Sequence, residues 1–394
     1  MKQINLKDKN KRIDPYRLIV VVVFLCLLAW TIVWANSGWE GYTTTDSTGV
    51  EYETARVVDI IKDDTQQDPA IEGRLRGKQV LELEILTGRY AGNVVQTENY
   101  FSAMYNVDVG LQDTLSVRID TYGVGDYQVS VYNYNRIPAI MVLVALFAVS
   151  LIVIGGWQGL RALVGLVFTF ICIVWLLLPL VLKGFPSVPI TIVLVGVTST
   201  VCFYLLGGWQ SKTVGAAIGC ICGIAAAALL GYLATQLIHT SVYQMDEAEG
   251  LILARNDGGL KLNGLFLSGI LIAAEGAVMD TAMSIASAMS ELKQKRPDIS
   301  RKELFRSGVR IGRDTTGTMA NTLVLAFAGS SLNMMVLIYS YQVSFQQLMN
   351  TDFVATELVR SVAGSMGIIW TVPCVAAATA WLLSRQKSEK AKTK

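Results

Sequence analysis

Leu262–Leu292 (LNGLFLSGILIAAEGAVMDTAMSIASAMSEL) and Gly312–Ser340 (GRDTTGTMANTLVLAFAGSSLNMMVLIYS) decide how the rest of the chain is read. As helices rising about 1.5 Å per residue, both are longer than the ~30 Å hydrocarbon thickness of a bilayer. Both nevertheless carry carboxylates: Glu275 and Asp280 on the first, Asp314 on the second. A charged side chain at membrane depth costs roughly 2.5–3.5 kcal/mol on insertion scales, so it marks a pathway or a pairing site. Gly269, Ala273, Gly276, Asp280, Ser284 and Ser287 recur at spacings of three and four and form one small-residue face with Asp280 in its middle. Glu275 lies about 100° of helical rotation from Gly276 and flanks that seam. On the second stretch Asp314, Thr318 and Thr322 share a face, with Asn321 beside it and Gly317 and Ala320 close by.

Small faces let membrane helices approach closely. The expected packing therefore sets the small face of the first helix on the polar ladder of the second. Asp280 then sits among Thr315, Thr318 and Asn321, with Arg313 as counter-ion near the basic end and Thr316 beside the path. Two readings compete: a coupling site that binds and releases a proton or cation, and a buried network that only fixes packing. Two acids on one helix exceed what packing requires, which favours coupling.

The whole chain fits this setting. Of its 394 residues 52% are hydrophobic and only 16% charged, well below the roughly 25% charge of a soluble domain. It reads as a polytopic α-helical membrane protein with about eight spans and a small all-β domain between the first two. Residues 1–35 hold a basic N-terminus and the first span, for which a cleaved signal peptide is the rival reading; SGWEG at 37–41 is a poor cleavage site. Residues 36–136 alternate with period two in VVDII, QVLELEIL, TLSVRI and YQVSVYNY, as short strands of a barrel or sandwich do, with a hairpin around Thr87-Gly88-Arg89. Residues 137–383 form a seven-helix membrane domain, with spans expected at 137–155, 161–182, 188–206, 213–238, 262–286, 316–340 and 358–383. Residues 384–394 are a basic tail.

Arg161, Lys212, the run from Lys293 to Arg313 and the tail all fall on one side of these spans, so both termini are expected in the cytoplasm and the β domain outside. Gly-Gly-Trp-Gln occurs twice, at Gly155–Gln158 and Gly207–Gln210, followed by Arg161 and Lys212, and marks a duplicated helical hairpin over 137–238. The link 292–313 shows a helix start at Pro297, Asp298 and Ser300. Its apolar stripe of Leu304, Phe305, Val309 and Ile311 suits a helix lying on the inner membrane surface. Glu357 and Arg360 read as an interfacial pair, and His239 as a boundary residue.

Several chemistries find no support. The six cysteines sit in apolar runs, so neither a disulfide framework nor a metal site is expected. There is no phosphate-cradling loop and no His-Glu-x-x-His, and the tyrosine-aspartate and glycine-x-glycine-aspartate motifs of intramembrane aspartyl proteases are absent. The expectation is no enzyme, no cofactor, no metal and no nucleic acid, with the lipid bilayer as the surrounding partner.

Through EGAVMDTAMSIASAMSEL (Glu275–Leu292) and GRDTTGTMANTLVLAFAGSSL (Gly312–Leu332) the sequence resembles the YibE/F-like membrane proteins. That resemblance implies transport or export. It also implies a partner: members occur as two-gene pairs, one with a β domain and one without, so a paralogous subunit lacking the β domain is expected, or else a homo-oligomer. A weaker similarity, over roughly 60 residues, is to one half of the SecD/SecF and resistance-nodulation-division permeases. It rests on Asp280-Thr281, the basic link and Thr315-Thr316, and this chain has one hairpin more. In those permeases carboxylates couple proton movement to transport. The expected function is a proton- or cation-coupled transporter or export factor in the cell membrane, with Asp280 as carrier and Glu275 assisting. The alternative is a non-transporting accessory or receptor acting through its β domain.

Overall fold

A computed structural model of the chain describes residues 15–37, 49–102, 105–122, 126–239, 250 and 264–392. The basic start of the chain (1–14), most of SGWEG, the acidic stretch at 245–249, and Leu262 and Asn263 lie outside the described residues. The structure divides into two compact units, Glu40–Leu151 and a second made of Met1–Trp39 with Ile152–Lys394.

The first unit contains β1 (Val50–Asp63), β2 (Gln66–Gln67), β3 (Leu75–Ile85), β4 (Val94–Phe101), β5 (Thr114–Thr121) and β6 (Tyr127–Tyr134). Every pairing is antiparallel; β1 is central between β3 and β5, β4 and the short β2 pair with β3, and β6 pairs with β5. The expected hairpin is the β3–β4 connection. Alternation sends Ala55, Val57, Leu81, Leu83, Ile85, Leu115, Val117, Ile119 and Val129 to one buried face. The sheet curls into a half-barrel whose edges meet: Thr97 Oγ1 on β4 donates to Val129 O on β6 at 2.6 Å, and the Tyr90 and Tyr127 rings stack at 4.1 Å. Val107 and Val109 close the open side, held by Asn99 Nδ2 donating to Val107 O at 2.7 Å.

The second unit is helical. It comprises α1 (Pro15–Asn36), α2 (Ile137–Cys172, entered from the first unit), a π turn (Ile173–Leu177) and α3 (Leu178–Leu182). There follow α4 (Ser187–Gly207), α5 (Ser211–Ile238), α6 (Leu265–Lys295), α7 (Arg301–Ser330), α8 (Leu332–Ser340), α9 (Phe345–Met349) and α10 (Asp352–Lys392). Among the described residues five stretches are long and apolar enough to cross a membrane: Ile137–Leu182, Ser187–Gly207, Ser211–Ile238, Leu265–Lys295 and Asp352–Arg385. The pair α7 and α8 passes the same test only when taken together, across a bend of 59°.

Both Gly-Gly-Trp-Gln motifs act alike. The second glycine takes a positive φ in each (Gly156 at 56°, Gly208 at 68°), which breaks α2 internally and separates α4 from α5, and Trp157 and Trp209 are exposed. α1 is tied to the turn after α3 by Lys183 Nζ, which donates to Trp34 O and Ser37 O, and to the π turn before α3 by Asn36 Nδ2 donating to Trp175 O at 2.8 Å.

The core of this unit is an antiparallel seam between α5 and α10 that the sequence reading did not pick out. Gly215 faces Thr379, Gly219 faces Val375, Gly223 faces Thr371 and Gly367, and Gly231 faces Ala363, with Ala227 against Gly367. Glycines four apart let two backbones approach where lipid supplies no hydrophobic drive for association. α6 and α7 then pack on this pair, with Gly308 against Met289 and Ala376, and Gly312 against Val372 and Ile285.

The link differs from expectation. Ser300 is the N-cap as read, its side chain accepting from Glu303 N. From there one unbroken helix runs to Ser330, so there is no separate surface helix and no span starting at 316. Leu304, Gly308 and Gly312 are buried against α6 and α10, because the apolar stripe taken for a membrane-surface face is a packing face.

Candidate functional site

Glu275 is the carboxyl that the fold encloses. Only 4% of it is exposed, and it shares the inner face of α6 with Leu271, Ala274, Val278, Ala282 and Ile285. Across from it α4 presents two hydroxyls: Thr198 Oγ1 donates to Glu275 Oε1 at 2.5 Å and Ser199 Oγ at 3.3 Å. Cys220 on α5 donates its thiol to Ser199 Oγ at 3.4 Å. No Lys, Arg or His is paired with Glu275 among the described residues. The site joins three helices, and its hydroxyls were legible only as the run Thr198-Ser199-Thr200 inside an apolar span.

Thr198 has one hydroxyl hydrogen and three acceptors: Glu275 Oε1, Leu194 O at 2.9 Å and Val195 O at 3.1 Å. An ionised Glu275 takes that hydrogen. A protonated Glu275 can donate to Thr198 Oγ1 instead, while the hydroxyl turns to the Leu194 carbonyl. Both protonation states are thereby hydrogen-bonded without moving a helix, as buried polar groups require.

Asp280 is placed differently from the expectation. Gly269, Ala273, Gly276, Asp280 and Ser284 form the exposed side of α6, and no atom lies within 4 Å of a Cβ built on Gly269 or Gly276. The bulky apolar face of α6, about 140° away from Asp280, is the one that the bundle buries, and Glu275 belongs to it. The polar ladder of α7 does not meet Asp280 either. Asp314, Thr318 and Asn321 are exposed, and Thr315, Thr316 and Thr318 bond carbonyls of their own helix, Ile311 O, Gly312 O and Thr315 O. Arg313 is not a counter-ion to Asp280; with Thr316, Gly317, Trp370 and Pro373 it lines a cleft of about 380 Å³ between α7 and α10.

Other residues fall as follows. Arg360 Nη1 pairs with Glu357 Oε2 at 3.2 Å, and the guanidinium lies over the rings of Phe266 and Phe327, which ties the first turns of α10 to α6 and α7. Glu357 is buried and Arg360 half-buried. His239 is the exposed left-handed C-cap of α5. Lys212, Lys293 and Gln294 share a cleft with Trp209 and Leu383, so the α4–α5 turn, the end of α6 and the approach to the tail gather at one end of the bundle. No three His, Cys, Asp or Glu side chains come together as a metal site among the described residues.

A family model described as YibE/F-like protein matches residues 143–385, most of the helical unit and more than half of the chain. No curated protein and no solved structure matches. The chain belongs to the YibE/F-like family.

Proposed function

We propose that this YibE/F-like protein is a proton- or cation-coupled transport or export subunit in which Glu275, rather than Asp280, takes up and releases the ion. The observation that carries the reading is the enclosure of Glu275 among hydroxyls that can serve it in both charge states, with no cationic partner among the described residues to fix it in one. A carboxylate that only cemented packing would be better served by a counter-ion, since an unpaired buried charge is the costly arrangement.

The proposed topology has eight spans: α1, the two parts of α2 (the second continued through α3), α4, α5, α6, the bent α7–α8 pair, and α10. The end holding Lys212, Lys293 and the tail faces the cytoplasm of a cell membrane, and the β unit stands outside. Asp280, Ser284, Asp314 and Asn321 cannot rest against lipid at little cost. They suit a contact with a second membrane subunit, either another copy of this chain or a paralogue without the β unit.

The test is proton movement into proteoliposomes holding the full chain, with any co-encoded paralogue added. Wild type should dissipate an imposed pH gradient, E275Q should lose at least tenfold of that flux, and D280N less than threefold. Full flux in E275Q would overturn the assignment. No flux from wild type with the partner present would favour a receptor acting through the β unit.

A further inference from the structure

Glu275 needs a route to one aqueous face, and the α4–α6 contact is where buried hydroxyls accumulate. These helices run parallel. Gly264, just before α6, lies against Ser187 and Val188 at one end, Ser199 meets Glu275 76 residues on, and Gly207 touches Met283 at the other end. The constant offset places Thr191 of α4 level with Leu267 and next to Ser268 of α6. From the start of α4 inward, the buried polar residues are therefore Ser187, Thr191, Ser268, Thr198 and Ser199, ending at Glu275.

Thr191 is the informative member. It is fully buried, and its Oγ1 has no hydrogen-bond partner among the described residues. Thr198, Thr281 and Thr371, also buried in helices, bond the carbonyl four residues back; Thr379 shares the lack of a partner but lies in the α5–α10 seam against Gly215, away from Glu275. A buried hydroxyl without a protein partner is the usual seat of an internal water. Ser268 Oγ donates to Gly264 O at 3.0 Å and keeps its lone pairs for the same water. Thr191 and Thr198 are about 10 Å apart at 1.5 Å per residue, a gap that needs water to bridge it.

Toward the basic end the pattern stops. Along α4 and α6 the interior there is Phe203, Ala282, Ile285, Ala286 and Met289, Thr213 and Thr281 bond only backbone groups of their own segments, and the unpartnered hydroxyl of Thr379 lies in the α5–α10 seam instead.

We infer that Glu275 exchanges protons with the face of the membrane at which α4 and α6 begin, through a water-bearing column of Ser187, Thr191, Ser268 and Thr198, and that the other side of the site is sealed in this conformation. The inference rests on the proposed role of Glu275. A proton arriving as hydronium at Thr191 passes along the bridging water to Thr198 Oγ1, which releases its own hydrogen to Glu275 Oε1; the hydronium becomes water and the carboxylate a carboxyl. Among the described residues the thiols of Cys172, Cys202 and Cys220 are the titratable groups that feel the charge of Glu275.

The experiment uses full-length protein in oriented proteoliposomes and a membrane-soluble carbodiimide, which reacts with a protonated carboxyl. Modification of Glu275 is read by mass spectrometry after a pH step on one side. Acidifying the side where α4 begins should change the labelling rate within the dead time, and acidifying the other side should not. T191V, close to isosteric, should slow the response at least fivefold, and T191S should restore it; S268A serves as the second variant if T191V does not fold. An unchanged response in both T191V and S268A, or an equal response from both sides, would overturn the route. Loss of flux in E275Q with such an unchanged response would retain the carboxyl and reject the column, whereas full flux in E275Q rejects the role of Glu275 itself.

Discussion

At the scale of single residues, two buried carboxylates work in opposite ways. Glu275 is surrounded by neutral hydroxyls that accommodate either charge state. Asp68, in the β unit, is held ionised: the backbone N–H of Ala70 first, then the Arg76 guanidinium and the charge of Arg74, keep its carboxyl below the usual carboxylate range. A carboxyl lowered by folding contributes stability that is present above its unfolded pKa of about 3.9 and is lost as the pH falls through its folded value. Heating the full chain in detergent, followed by tyrosine fluorescence, should therefore show a β-unit transition that drops between pH 5 and pH 3. D68N should flatten that drop without removing it, because Asp63 and Glu98 are lowered too, by Thr65 and by Lys78 respectively. An unchanged pH slope in D68N would refute the assignment.

At the scale of elements, the seam between α5 and α10 sets what the bundle tolerates. A Cβ on Gly219 would come within 2.7 Å of Val375 Cα, a backbone atom that cannot step aside. Overpacking of this kind costs typically 1–3 kcal/mol. Gly317 has no atom within 4 Å of such a Cβ and sits on the exposed side of α7, where alanine is the better helix former. G219A should thus lower the midpoint of thermal unfolding in detergent by several degrees, while G317A leaves it unchanged or raises it. Equal effects of the two would contradict the packing described.

The same seam explains what could be read in the sequence and what could not. The strands of the β unit were visible because alternation there reports burial directly, and Gly-Gly-Trp-Gln because a glycine pair breaks a helix locally. The face of α6 was misread because both of its faces carry a helical period. The small one looked like a contact surface, and only tertiary packing shows that close approach was assigned to Gly215, Gly219 and Gly223 instead. Those glycines stand four apart in the sequence, so that signal was available. Nothing in the sequence aligned Thr198 with Glu275, a contact across 77 positions.

For the whole molecule, the exposed side of α6 is the feature that a single chain leaves unsatisfied. A photoreactive residue in place of Ser284, activated in native membranes, should give a protein adduct well above the 42.9 kDa of one chain. Adducts to lipid alone would show that this side needs no subunit.

The α5–α10 seam also bears on how the molecule is made. Gly215 meets Thr379, so the seam closes across 164 residues (379 − 215), and α5 is synthesised well before the helix that covers it. Until α10 is inserted, α5 offers a row of bare glycines to the bilayer and α6 holds a carboxyl in a half-built pocket. Assembly of the bundle is therefore not sequential: α5 is complete as an element before the surface that fills its glycine row exists.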